Sequence, residues 1–286
     1  MLTLPSRNKG TPASSHAQPF WFQGGPRVFA ALPLRMVRRK LGFLRSSGLG
    51  VELMLYDTNW ICSYPVDKVS ELAYLLWDAE IEVSAHGPIH DLNPGSLDAI
   101  VRDYTRHCYF KTLAICHALR AKTLVLHLGI NPLLPDSALD KWLECSIRTW
   151  RPIVDLAEQL RLTIALENMF IPSPKHLIAL KEGLRSDAIK YCFDIGHYNA
   201  YSKTPLSHWL NELGGDIVEL HLNDNMGEED EHLAIGKGTI DFKKFFRELS
   251  VRKMRPQLTI EMTSEKFDES LEFLVKNNLM AMFQDS

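Results

Sequence analysis

The chain has no run approaching the roughly 18 consecutive apolar residues a membrane span requires, which argues against a spanning helix. It has no CxxC pair either. Its five cysteines, Cys62, Cys108, Cys116, Cys145 and Cys192, are odd in number and scattered. That distribution speaks against a disulfide framework and fits reduced thiols in a cytoplasmic protein. No GxSxG elbow, Walker loop or GxGxxG turn occurs, so the sequence signs of serine hydrolases, P-loop proteins and dinucleotide binders are missing. Charge of one sign is not in excess. A net −3 and a pI near 6.4 give no global attraction for nucleic acid or anionic lipid. Acids are absent before Glu52, and residues 1–26 combine Pro, Ser, Gly and Asn with no continuous apolar stretch. A disordered tail is expected there, with the folded domain running over 27–286.

What is present is an alternation. Eight short apolar or β-branched runs recur: "RVFAAL", "VELML", "IEVSA", "TLVLH", "LTIALE", "IKYCFD", "DIVELH" and "QLTIE". Amphipathic helical segments separate them, among them "VDKVSELAYLLWDA" and "KWLECSIRTWRPIVDLAEQL". Strands apolar on both faces and alternating with helices imply parallel pairing. Eight such units predict an α/β fold, a single (β/α)8 TIM barrel, with an open doubly wound sheet as the alternative. The basic segment "RMVRRKLGFLRSS" reads as the solvated face of an outer helix, remote from the strand ends.

In such a barrel, chemistry gathers at the C-terminal ends of the strands. Six successive strand ends carry a metal-competent side chain: His86, His127, Glu167, Asp194, His221 and Glu261. Any one of them is explained as a satisfied buried polar group. Six in register are not, because imidazoles and carboxylates converging on one mouth need a cation to offset their burial. Two short pairs join them. Asp194 and His197 form a DxxH turn after strand six; Asp230 and His232 form a DxH pair, on one side of the chain if that chain is extended. Mixed histidine and carboxylate donors suit zinc, manganese or iron. His90 and Asn93, in the loop after His86, and Lys237, between two glycines, are the candidate substrate contacts. His16, His107, His117, His176 and His208 read as structural or solvent-facing.

The ordered set "AHGPIHDLNPGS", "LHLG", "ALEN", "CFDIGH", "ELHLNDN", "DEHLAIGKGTIDF" and "TIEM" resembles the xylose isomerase-like TIM barrels, over residues 28 to 280. That superfamily contains endonuclease IV and many sugar or sugar-phosphate isomerases and epimerases. The epimerase branch implies a single divalent ion on Glu167, Asp194, His221 and Glu261, with Glu167 and Glu261 as the acid/base pair. The endonuclease IV branch implies a three-zinc cluster, to which His86, His127, Glu167, Asp194, His197, His221, Asp230, His232 and Glu261 correspond. The strand-end loops "HGPIHDLNPGS", "GINPLLPDS" and "DNMGEEDEH" are neutral or acidic, and Ile89 stands near the place of that branch's usual tyrosine. Nucleic acid is therefore disfavoured as a partner. The resemblance implies an enzyme holding one to three divalent ions, zinc or manganese first. Its leading function is isomerisation or epimerisation of a sugar, sugar phosphate or related polyol. The alternative is multi-metal hydrolysis of a small phosphodiester. Self-association into a homo-oligomer is left open.

Overall fold

The computed structural model describes residues 27–262 and 264–283; the expected tail over 1–26 lies outside them. Each of the eight apolar runs forms a strand: β1 Val28–Pro33, β2 Gly50–Met54, β3 Val83–His86, β4 Thr123–His127, β5 Thr163–Glu167, β6 Ile189–Asp194, β7 Ile217–Leu222 and β8 Gln257–Ile260. All pair in parallel and in sequence order, and β8 closes on β1. The open doubly wound alternative is thereby excluded.

Ten α-helices join the strands among the described residues. The larger ones follow the predicted amphipathic segments: α1 Leu34–Ser47, α3 Val66–Asp78, α4 Ala99–Ala118, α5 Leu139–Leu160, α6 Lys175–Leu184, α8 Leu206–Leu213, α9 Phe242–Val251 and α10 Ser264–Lys276. Two short ones, α2 Thr58–Ser63 and α7 Ile195–Tyr201, have too few turns to show a period and were not visible in the sequence. Between barrel and helices lies a continuous apolar layer that includes Trp150, Phe193, Trp209, Phe245 and Phe246, all fully buried. Burying each such side chain contributes roughly 1.5–3 kcal/mol, which fixes the strand ends relative to one another. Among the described residues no helix is long and apolar enough to cross a membrane.

The barrel interior departs from the usual packing of branched aliphatics. One side holds Val125, Ala165 and Cys192. The other holds Glu52, Ser84, Glu219, Gln257 and Thr259, all buried. Register places Glu52 beside Ser84 and Glu219 beside Gln257. Thr259, Gln257 and Ser84 all donate to Glu219 Oε1, at 2.6, 2.6 and 3.5 Å. Two carboxylates therefore lie one layer below the mouth, a feature not anticipated from the sequence.

Candidate metal centre and active site

Register sets the site. His127 pairs with Glu167 across β4 and β5, and Asp194 pairs with His221 across β6 and β7. His86 ends β3, and Glu261 directly follows β8. Parallel strands of a closed barrel bring these ends to one rim.

Overlapping ligand sets form there, in each of which the donor atoms lie within 4.8 Å of one another, and three of them together take in every predicted ligand: Glu167, Asp194, His221 and Glu261; His86, His127 and Glu167; His197, Asp230 and His232. Glu167 belongs to two of them. The strand-end members and His197 are buried, while Asp230 and His232 are half-buried. His221 Nδ1 lies 3.0 Å from Glu167 Oε1, 3.0 Å from Glu261 Oε2 and 3.9 Å from Asp194 Oδ2. His127 Nε2 is 2.6 Å from Glu167 Oε2, and His197 Nε2 is 3.2 Å from Asp230 Oδ2.

Several of these atoms are close without bonding. His127 Nε2, His197 Nδ1, Asp230 Oδ1 and Glu261 Oε2 are buried and have no hydrogen-bond partner. Unsatisfied buried polar atoms are rare and costly. Lone pairs that crowd together without meeting suit a shared cation, so the residues fit divalent metal binding by donor type, burial and aim.

The backs of the rings are fixed. His86 Nδ1–H donates to the Gly87 carbonyl at 3.0 Å, and His232 Nδ1–H donates to the Glu261 carbonyl at 2.9 Å. Both rings thereby turn Nε2 toward the ligand sets. Asp194 is held from three directions. Its Oδ1 accepts the His197 N–H at 2.7 Å as the N-cap of α7, and its Oδ2 accepts Asn223 Nδ2 at 2.9 Å. The Asn168 side chain clamps its backbone, accepting the Asp194 N–H and donating to the Asp194 carbonyl.

In the metal-free state the cluster balances itself with protons. Burial opposes charge on every imidazole, but the groups around them outweigh it, carboxylates at His86, His197 and His232 and the Cys192 sulfur with Glu52, Glu261 and Glu167 at His221, and hold all four above the usual range, His232 at about 9. At His127 burial prevails, and the ring is held below it. Burial pushes Asp194 up to about 6. For Glu261 burial acts upward, but the His221 imidazolium draws it down to about 2.

The expected placement of Asp230 and His232 is reached by a different route. The chain there is not extended: His232 has φ 46°, in the left-handed region. An antiparallel bridge between Asp224 and Leu233 pinches the loop closed and swings its outer part back over the mouth. Asp224 is the organiser. Its buried carboxylate accepts the N–H groups of Asn225, Gly236, Gly238 and Ile240. Gly236 has φ 86° and faces the Phe273 ring, so no side chain fits there. Glu228, Glu229 and Glu231 are exposed.

The substrate-contact expectations divide. His90 lines the same cavity as candidate ligands such as His86, His127 and Glu167. Asn93 is not brought to it: its Oδ1 accepts the Gly95 N–H at 3.0 Å and shapes a turn. Nor is Lys237, which is exposed and pairs with Glu269 at 2.6 Å because the glycine turn serves Asp224 and points the lysine outward. The basic helix also needs correction. No loop separates β1 from α1, so the first turns of α1 remain at the strand ends, and Arg35 and Arg38 line the cavity with Lys68 of α3. All four arginines Arg35, Arg38, Arg39 and Arg45 are exposed, as expected; what differs is that the first two lie beside the strand ends.

Sequence reasoning missed Tyr56, which lies just past β2. Its hydroxyl donates to Glu261 Oε1 at 3.4 Å, and its ring meets His86 edge-on. It missed Glu52 as well, although a glutamate inside an otherwise apolar parallel strand was a usable signal.

Gly196 tests the support of Asp194. A Cβ there would collide with Asn223 Oδ1, which displaces the amide that bonds Asp194 Oδ2. Gly196→Ala is expected to destabilise the fold by about 1–3 kcal/mol and to weaken metal retention. Denaturant melts with and without zinc check both.

The cavity has a volume of about 1170 Å³, and His86, His127, Glu167, His197, Asp230 and Glu261 are among the residues that line it. The model of the xylose isomerase-like TIM barrel family matches residues 46–277, and the chain belongs to that family. Over 177 residues it is 32% identical to uncharacterized protein MJ1311 of Methanocaldococcus jannaschii, spanning 59% of this chain and 60% of that one. Among solved structures it is similar to the TTHB071 protein from Thermus thermophilus, soaked with zinc chloride: 28% identity, TM-score 0.75, covering 89% of this chain and 98% of that one. A D-tagatose 3-epimerase-like protein shares the fold at 24% identity and TM-score 0.78, covering 90% and 98%.

Proposed function

We propose that the chain is a metal-dependent isomerase or epimerase of a sugar, sugar phosphate or related polyol. One observation carries this reading: Glu167 and Glu261, both carboxylates, share a ligand set in the lining of a small-molecule-sized cavity. A divalent ion held by Glu167, Asp194, His221 and Glu261 supplies Lewis acidity that makes a C–H beside a carbonyl more acidic. The protein's own part is proton transfer and positioning. Glu261 is ionised at neutral pH and has one oxygen free of hydrogen bonds, so it can accept a proton from substrate carbon. Glu167 stands as its partner in returning one, and Tyr56 orients Glu261. The epimerase-like and zinc-soaked relatives support the same reading. Histidine and carboxylate donors favour zinc or manganese.

The cavity wall favours a phosphorylated substrate. Arg38 pairs with Glu71, and Asp57 caps α2, but Arg35 and Lys68 have no carboxylate partner among the described residues. The double variant Arg35→Ala, Lys68→Ala is expected to raise KM about 10-fold or more for a ketose phosphate and to leave the free ketose unchanged.

A second reading, hydrolysis of a small phosphodiester, is favoured by the three adjoining ligand sets, since clustered ions can activate water and stabilise a leaving oxygen. Solvent deuterium entering ketoses or their phosphates supports the first reading. No incorporation across such a panel, with metal-dependent cleavage of bis(p-nitrophenyl) phosphate, would overturn it.

A further inference from the structure

We propose that Glu52, on β2 one layer below the mouth, is the positioning residue that orients His221 and commits its Nδ1 to the metal centre. The inference rests on the four-ligand set being a metal site, not on which reaction that site performs.

His221 differs from the other fixed histidines. His86 and His232 anchor Nδ1–H on backbone carbonyls and present Nε2. His221 presents Nδ1 instead, the nitrogen 3.0 Å from both Glu167 and Glu261. A neutral imidazole that gives its Nδ1 lone pair to a metal carries its proton on Nε2, and that proton needs an acceptor. The end of β7 supplies none from the backbone. Glu52 Oε2 lies 3.3 Å from His221 Nε2, and both side chains have no exposed surface.

The environment of Glu52 matches this assignment. Register with Ser84 sets it below the mouth, whereas His86, two residues further along β3, belongs to the rim. Ser84, Gln257 and Thr259 all donate to Glu219, Gln257 donates further to Ser84 and Thr259, and Glu52 Oε2 is left to His221. A carboxylate buried this deeply is costly without a matched donor. A carboxylate behind a metal-binding histidine fixes the ring's tautomer and orientation and raises its basicity, and loss of such a partner weakens metal binding about 10–100-fold.

The test uses the full chain titrated with zinc, with the ring nitrogens of ¹⁵N-histidine followed by NMR. In the zinc-bound wild type, His221 is expected to carry its one ring proton on Nε2, with Nδ1 showing the shift of a metal-bound nitrogen. Zinc affinity read at His221 is expected to fall about 10–100-fold in Glu52→Leu. It is expected to stay within about 3-fold in Glu52→Gln, whose amide oxygen still accepts from Nε2–H. Ser84→Ala, in the same buried layer but without contact to His221, is expected to match the wild type. Equal affinity in Glu52→Leu and Ser84→Ala overturns the proposal. So does zinc bound through His221 Nε2, which the wild type alone reveals should Glu52→Leu fail to fold. No zinc response at His221 in the wild type refutes the metal centre itself, a distinguishable failure that removes the proposal with it.

Discussion

Glu261→Gln is expected to suppress solvent-deuterium incorporation by about 10²–10⁴-fold, the usual worth of a positioned general base, in a barrel that still folds. Glutamine has the same shape and retains an oxygen for the Tyr56 hydroxyl now 3.4 Å from Oε1. What changes is the second oxygen. Glu261 Oε2 has no hydrogen bond and lies 3.0 Å from His221 Nδ1. An amide nitrogen there has no lone pair to offer a metal and no capacity to take a proton from carbon. Zinc content and turnover measured on the same sample separate the two losses. Retained zinc with lost exchange assigns the proton-transfer role; lost zinc assigns ligation. Turnover within about 3-fold of the wild type, against the 10²-fold minimum expected, removes Glu261 from the active site.

The barrel was legible because its strands are apolar on both faces and break at turn residues, which leaves polarity only where it has work to do. His86, His127, Glu167, Asp194, His221 and Glu261 stood out as polar side chains closing apolar runs, and the structure brings all six together. Less was legible where position depends on the path of a loop. Asp230 and His232 reach the mouth through the Asp224–Leu233 bridge, a contact no local pattern displays. The same loop turned Lys237 outward, for its glycines answer to Asp224. Glu52 and Glu219 were visible as glutamates within apolar runs, but in a strand buried on both faces alternation does not reveal which residue enters the barrel. The first turns of α1 were misplaced because helix periodicity is blind to how closely a helix follows its strand.

Asp230→Asn decides how many ions the centre uses. Asp230 Oδ2 lies 3.2 Å from His197 Nε2 and 2.9 Å from His232 Nε2, so one carboxylate joins both histidines of the third set. Without metal, His232 is protonated and Asp230 is ionised. Burial works against charge on both partners, yet hydrogen bonds from His197 and then His232 hold Asp230 below the usual carboxylate range, and the bond to Asp230 raises His232 to about 9. The raised histidine stabilises the metal-free fold fully below its unfolded pKa of about 6.5, and that contribution disappears as pH rises through about 9. The depressed aspartate contributes above its unfolded pKa of about 3.9 and ceases to as pH falls through its lower folded value. Zinc entering this set must displace the His232 proton. Binding at pH 7 is therefore expected to release at least about one proton per ion, measurable by calorimetry in two buffers of different ionisation enthalpy. In Asp230→Asn that release and one equivalent of zinc are expected to vanish together. If the single-ion reading holds, isomerase turnover survives within a few-fold because Glu167, Asp194, His221 and Glu261 are untouched. Loss of phosphodiester cleavage by about 10²-fold or more, as expected when a cluster that activates water loses an ion, would instead assign the centre to hydrolysis.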